Sequence, residues 1–313
     1  MHSATTSLPN AALKTSDNHL TQDQSSTNNL CNYYREVASD YTAWSRNLNM
    51  HFGYWAWGMN PFQREPMLER MSHEVIGRLG LPTVATKVAD LGCGAGATAR
   101  HLASHLPGSQ VDAVTCVPEQ IAQGLALNTQ WTDAGRMPAE SVQFHCKDYL
   151  ATGFPSQYFD GVYAIESDCH CPGAGKQALL NEAARLLKSG GRLVIADAML
   201  RDNKTIPAPV AMAYHSMCRN WALSELAECS ALQTQLERSG FVDIRFEEIG
   251  WHIAPSALHI PIFATRFTLA ALWRSKGRLV AWRWRHILAS YCSLLVGLWR
   301  PRFGYYFVSA RKA

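Results

Sequence analysis

The chain has 313 residues, 47% of them hydrophobic, enough to bury a sizeable core as one elaborated domain or as two. Its nine cysteines, an odd number without paired spacing, argue against a disulfide framework and for reduced thiols in a cytosolic compartment. The formal net charge of +4 conceals an asymmetry: Trp251–Ala313 holds ten of the 29 Lys and Arg and none of the 25 Asp and Glu, so this segment is +10 and the remainder −6.

Residues 1–30 are rich in Ser, Thr, Asn and Gln and predict a disordered tail. They hold no apolar run suited to a secretory signal, and the absence of arginine beside Asp17 and Asp23 disfavours an organellar transit peptide. Folding is expected to begin near Cys31, with residues 31–80 forming a helical cap. Tyr33–Trp57 is dense in aromatics, and Tyr33, Tyr34, Tyr41, Trp44, Phe52, Tyr54 and Trp55 are candidates for the wall of a ligand site. Burial in the core is the competing use of each ring.

The most informative stretch is Val88–Gly96, VADLGCGAG, where a buried strand gives way to a helix over Ala97–Leu106. Glycine permits positive φ and lets a ligand touch backbone. Gly92, Gly94 and Ala97 also satisfy the dinucleotide pattern G-x-G-x-x-A, so the glycines by themselves do not choose between nucleoside ligands. Asp90 begins to choose, because a carboxylate before the loop repels a pyrophosphate and suits a cationic or hydroxyl-rich ligand. The next strand, Gln110–Thr115, ends in Thr115 rather than the acid of a nicotinamide site. Further strands are expected at Lys87–Asp90, Val142–His145, Gly161–Ile165, Arg192–Ala196, Phe241–Glu248 and Phe303–Ala310. Helices are expected at Lys176–Lys188, stopped by Ser189-Gly190-Gly191, and at Ser224–Ser239, stopped by Gly240. The alternation implies a mainly parallel sheet covered on both faces.

VADLGCGAG resembles the first motif of the class I S-adenosylmethionine-dependent methyltransferases. Thr115-Cys116-Val117-Pro118-Glu119-Gln120 looks like the second motif of the branch containing sterol, tocopherol and cyclopropane-forming enzymes, where a hydroxyl residue stands for the usual acid. Tyr158–Pro172, YFDGVYAIESDCHCP, is similar in its YAIE…CH core to the fourth-strand motif of sterol C-methyltransferases. His51–Trp55, HFGYW, following a tyrosine pair, resembles the cover over substrate and cofactor in the same branch. The likeness covers most of Tyr33–Lys312. It implies a doubly wound, mainly parallel seven-stranded α/β sheet of Rossmann-like methyltransferase type, with a cofactor-binding core over residues 81–250. It implies S-adenosylmethionine as cofactor, held by Tyr33, Asp90, Gly92, Cys93, Gly94, Gly96, Thr115, Gln120, Asp148, Tyr149 and Glu166, with Asp148 on the adenine. Tyr54, Trp55, Asp168, Tyr214 and Trp284 are the expected acceptor contacts. Asp168 departs from the small residue usual in sterol enzymes, which sets this chain apart from them.

Residues 251–302 form an insertion between the last two strands, residues 303–313 being the last. A connection of this length is usually functional. Val280, Trp284, Ile287, Tyr291, Leu294 and Leu298 recur at helical spacing, with Arg283, His286, Ser290 and Ser293 on another face. The apolar run Ile287–Trp299 falls short of the about 20 residues needed to cross a bilayer. The first expectation is a lid helix that buries its apolar stripe on the sheet. The second is peripheral docking at an anionic membrane, because arginines interleave with Trp273, Trp282, Trp284 and Trp299. Nucleic acid is disfavoured, since tryptophans at core-like spacing do not make a solvent-facing stacking platform. The insertion also resembles that of the tocopherol methyltransferases, where it helps close over a lipophilic substrate.

Methyl transfer by in-line displacement requires an electron-rich atom held in line and water excluded. An alkene acceptor would leave a carbocation, which aromatic faces and a carboxylate stabilise before a base removes a proton. Glu166 is the first candidate for that charge-stabilising or basic role, with His170, His51 and then His215 as alternative bases. Cys169-His170-Cys171 is a poor zinc site, and no metal is expected. The resulting reading is methyl transfer to carbon of a lipophilic isoprenoid, sterol-like or prenylated aromatic molecule. A prenyl diphosphate is a variant in which the arginines pair with phosphate. The alternatives are oxygen or nitrogen methylation of a secondary metabolite and, from another class, a non-catalytic, membrane-docked cofactor-binding module.

Overall fold

The computed structural model describes residues 29–38, 40–83, 85–201, 205–274 and 281–313. The expected tail therefore lies outside the described residues apart from Asn29 and Leu30, as does Val280 of the insertion.

Five parallel strands carry the centre of the fold: β1 (Lys87–Leu91), β2 (Gln110–Thr115), β3 (Val142–Cys146), β4 (Phe159–Ile165) and β5 (Leu187–Leu200). Their small and branched apolar residues are buried along nearly continuous runs in β1 and β4, as parallel strands covered on both faces require. Two further strands, β7 (Phe241–Glu248) and β8 (Phe303–Lys312), complete the order β3-β2-β1-β4-β5-β8-β7, with β8 antiparallel to both neighbours. A two-residue strand, β6 (Ala227–Glu228), pairs with the end of β5 off this path. The seven-stranded doubly wound sheet is thus as expected.

Alternation along β5 shows how the two faces are served. Leu193 and Ile195 join one core with Leu179, Leu180 and Leu186 of α5 (Gln177–Leu186) and Leu232 and Leu236 of α7 (Cys229–Arg238). Val194 and Ala196 join the opposite core with Met71, Val75 and Leu79 of α2 (Arg64–Leu79) and Leu102 of α3 (Ala97–His105). Helix α4 (Pro118–Asp133) connects β2 to β3. Because β1 sits between β2 and β4, the crossovers diverge there. That switch opens a crevice above the C-terminal strand ends.

Several boundaries differ from the sequence reading: β4 and β5 are longer than expected, β5 running from Leu187 to Leu200 rather than from Arg192 to Ala196, and two helices are shorter. Helix α5 stops at Leu186, ahead of Ser189-Gly190-Gly191, because fully buried Leu187 already pairs with Phe159 in the parallel ladder. The helix expected from Ser224 starts at Cys229, because Ala227 and Glu228 are held against Met199 and Leu200.

Above the sheet lies a second layer. Helix α1 (residues 29–38 and 40–44) precedes the HFGYW stretch, α6 (Ala208–Asn220) follows β5, and the insertion folds as α8 (Gly250–Ala257), α9 (His259–Arg274) and α10 (Ala281–Leu298). Helix α6 was not legible in the sequence, yet α10 packs on it through a cluster of Val210, Ala213, Tyr214, Met217, Val296 and Phe303. This contact turns α10 away from its expected orientation. Arg283, His286, Ser290 and Ser293, the polar side, line an interior cavity together with Ile287 and Leu294. Trp284, Tyr291 and Leu298, from the expected buried stripe, are instead exposed.

The HFGYW stretch is wedged tightly against α2. A Cβ built on Gly53 would lie 2.6 Å from Met67 Cβ and 2.7 Å from the Met67 carbonyl carbon, so the obstruction is backbone that cannot rotate away. Gly53→Ala is expected to cost about 1–3 kcal/mol of stability, read as a lower urea midpoint at unchanged slope.

Candidate active site

The glycine loop leaves β1 with Gly92, Gly94 and Gly96 at φ of 87°, 53° and 75°, conformations in which a side chain would be strained. It borders a small cavity of about 60 Å³ whose lining includes Asp90, Gly92, Cys93, Gly94, Thr115, Gln120, Tyr149, Glu166 and Ser167. Asp90 is buried, accepts one hydrogen bond from the Tyr163 hydroxyl at 2.8 Å, and has no positive partner among the described residues. Burial pushes its pKa up to about 7, against the opposing pull of that bond. Thr115 donates to Gln120 Oε1 at 2.6 Å, and Tyr149 donates to the Ser167 carbonyl at 2.8 Å.

A much larger cavity, about 620 Å³, lies on the other side of a shared wall. The two cavities have five lining residues in common: Tyr34, Met50, His51, Glu166 and His170. Met50 Sδ would be 2.8 Å from a Cβ at Gly94, so its flexible side chain occupies part of the space over the loop. Above the small cavity, α1 is tied down by Arg35–Glu119 at 2.7 Å and by the Cys31 thiol on the Cys116 carbonyl.

Three groups in the shared wall can accept a proton, and their surroundings rank them. His170 is pushed below its ordinary pKa by burial, so it is neutral. Its Nδ1–H donates to the Ala222 carbonyl at 3.0 Å, and Nε2 accepts from the Tyr34 hydroxyl at 3.0 Å, which uses both nitrogens. His51 donates from Nδ1 to the Phe52 carbonyl at 2.9 Å and leaves a bare, buried Nε2, but burial lowers its pKa to about 4. Glu166, at φ 48°, stands just past β4. Its Oε1 accepts from the Phe52 backbone N–H and the Tyr305 hydroxyl, each at 2.7 Å. Burial nevertheless raises its pKa to about 7. Near neutral pH, Glu166 is the strongest available base of the three.

The larger cavity also carries a second acidic feature. Asp197, in its wall, accepts from the backbone N–H groups of Ala198 at 2.7 Å and Cys169 at 3.3 Å. Asp168 is 1% exposed, and neither of its oxygens meets an N–H or O–H donor among the described residues. Burial first, and then the neighbouring Asp168, push Asp197 well above the ordinary carboxylate range. Aromatic rings of Tyr33, Tyr41, Trp44, Phe52, Trp221 and Phe263 supply much of the remaining wall.

The sequence-expected residues divide accordingly. Asp90, Gly92, Cys93, Gly94, Thr115, Gln120, Tyr149 and Glu166 converge on the small cavity, and Glu166, His170 and His51 on the junction. Tyr33 lies in the larger cavity only, its neighbour Tyr34 taking the shared position. Gly96 caps α3 against Phe144 rather than lining the pocket. Asp148 is exposed at the margin, its Oδ1 accepting from the Leu150 N–H. None of the five expected acceptor contacts lines the larger cavity. Tyr54 is stacked at 4.3 Å on His252 within the core. Trp55 donates its indole N–H to the Met59 carbonyl outside the cavity. Tyr214 is buried between α6 and α10 and accepts from the Leu226 N–H, while Trp284 points outward. Asp168 sits behind Asp197 rather than in the wall. Missed in the sequence were Tyr305, Asp197 and the backbone of Phe52. Only the apolar alternation of β8 hinted that Tyr305 would turn inward.

A methyltransferase-domain family model matches residues 88–191, the glycine loop through the start of β5. An O-methyltransferase of Pyrenophora dematioidea is 31% identical over 217 residues, which cover 66% of this chain and 73% of the relative. The chain belongs to the S-adenosylmethionine-dependent methyltransferases. The 2-methyl-6-phytyl-1,4-hydroquinone methyltransferase of Synechocystis sp. is 27% identical over 233 residues, covering 69% of each chain. The crystal structure of the [4+2]-cyclase SpnF superimposes with a TM-score of 0.65 at 20% identity, over 89% of this chain and 93% of that one.

The small cavity suits S-adenosylmethionine in donor set: a carboxylate without a countercharge beside a glycine loop whose backbone a ligand can touch. Its free volume is well below the roughly 300 Å³ of small-molecule sites, and the flexible Met50 side chain takes up part of the space over Gly94. Asp90→Ala is expected to weaken binding of S-adenosylmethionine by about 10- to 100-fold in calorimetric titration, the usual loss for a charged hydrogen-bonding group.

Proposed function

We propose that this methyltransferase acts on carbon of a largely apolar small molecule and that Glu166 takes the proton the acceptor loses. The observation that carries the reading is the position of Glu166, a buried carboxylate with a pKa near 7 in the wall shared by the cofactor-side and acceptor-side cavities. When bound, S-adenosylmethionine supplies an electrophilic methyl on a sulfonium. The protein's own part is to hold the acceptor, exclude water and receive the proton. Phe52 N–H and the Tyr305 hydroxyl fix Oε1, and Oε2 has no hydrogen-bonding partner among the described residues. A carbocation formed on an alkene or aromatic acceptor would meet the rings of Tyr41, Trp44 and Phe52 and, when ionised, the Glu166 carboxylate.

A prenyl diphosphate fits less well. The cavity arginines are already committed, Arg283 to Asp40 at 2.5 Å and Arg300 to Glu248 at 2.7 Å. A neutral prenylated aromatic or isoprenoid is the better match. Methylation of a phenolic oxygen is the second reading, favoured by the O-methyltransferase similarity and equally in need of a base.

Methyl-labelled S-adenosylmethionine with prenylated quinols, isoprenoids and phenols separates these readings, because NMR of the product distinguishes a new carbon-bound methyl from a methoxy group. A methoxy product would replace the carbon reading. Glu166 must be ionised to act, so turnover should rise with pH through about 7 and then level. Glu166→Gln should lower kcat by about 100- to 10,000-fold and abolish that rise. A variant with the wild-type profile would remove Glu166 from this role.

A further inference from the structure

The outer surface of the insertion is built unlike an ordinary solvent face. On α9, Ile262, Leu269 and Trp273 are exposed at helical spacing, continuing the line of Leu258 just before the helix. On α10, Trp284, Leu288, Tyr291, Leu295 and Leu298 repeat at i, i+4, i+7, i+11 and i+14, which is one stripe. An exposed hydrogen bond of 2.7 Å between Thr265 and Tyr291 holds the two helices side by side on that outer face. The His259 ring donates its Nε2–H across to the Pro61 carbonyl at 2.8 Å, which brings the turn bearing exposed Phe62 to the same end. Scattered exposed apolar residues are ordinary; two adjacent stripes are not.

Charge identifies the occupant. Trp251–Ala313 contains no acid, and Arg266 and Arg285 are exposed without an ion pair among the described residues. Apolar side chains with tryptophan, fringed by cations and free of carboxylates, match an anionic lipid surface. Among the described residues no helix is long and apolar enough to span a bilayer, so the fitting mode is docking at the interface.

The cavity opens on the same surface. Trp251, Leu258 and Leu298 line the larger cavity and are also 71%, 64% and 79% exposed, which makes them its rim. We infer that the α8–α10 face docks on an anionic membrane and that the acceptor passes from the lipid into the cavity through this rim. The entry route, though not the docking, rests on the reading that the acceptor is lipophilic.

Sedimentation of the full chain with sucrose-loaded vesicles tests the docking with no acceptor present. Vesicles of phosphatidylcholine mixed with phosphatidylserine should carry the protein down at low salt, and phosphatidylcholine alone should carry less. The double variant Leu269→Asp with Trp273→Asp touches neither cavity and should reduce partitioning at least about tenfold. Its unfolding midpoint and S-adenosylmethionine binding should match the parent. Leu125→Asp, an exposed apolar site on α4, should sediment as the parent does. Absence of binding to the anionic vesicles, or binding that the double variant leaves intact, overturns the proposal. So does a dimer that the double variant dissociates without any vesicle binding, which would assign the face to a second copy of the chain. For entry, the double variant should slow methylation of a vesicle-embedded acceptor while leaving a water-soluble short-chain analogue unaffected. Equal rates on the embedded acceptor overturn the route.

Discussion

The carboxylate of Glu166 ties together parts of the chain that are otherwise far apart. One oxygen receives the backbone N–H of Phe52 from the N-terminal segment and the hydroxyl of Tyr305 from the last strand, while the residue itself follows a central strand. These bonds favour the ionised form, yet the loss of water outweighs them and the pKa settles near 7. A weaker enclosure would leave an ordinary glutamate, always ionised and a poor base. A tighter one without donors would leave a neutral acid. The positioning of both flanking segments is therefore coupled to the proton affinity of one group, and the larger and smaller cavities meet where that group stands.

The acidic character of the site continues behind it. Asp168 and Asp197 are both buried, and the cavity arginines are paired with Asp40 and Glu248. Neither Arg283 nor Arg300 is left without a carboxylate partner to offer an anion. The aromatic walls of the cavity act in the same direction.

The insertion serves two surfaces at once. Because α10 is seated on α6, its polar residues turn inward to the cavity and part of its apolar stripe turns outward. The helix does not behave as a simple lid that buries every hydrophobic residue on the sheet. Of the exposed α10 stripe, Leu298 also lines the larger cavity and so stands at its rim.

Local signals in the sequence determined the cofactor side. The strand-to-glycine transition, Asp90 before it and Thr115 at the next strand end all lie within short windows, and chain alternation of two and 3.6 residues identifies strands and helices without knowledge of neighbours. Tertiary structure alone decided the acceptor side. Tyr305 reaches Glu166 across 139 residues because β8 runs antiparallel beside β5, bringing its start to the functional end of the sheet. Periodicity also reveals that α10 has two faces, not which neighbour covers each, and α6 was invisible to the pattern that would have answered. Aromatic residues showed the same ambiguity: Tyr34 and Trp44 line the cavity while Tyr54 and Tyr214 fill cores, because a ring's burial is set by what packs against it rather than by its place in the chain.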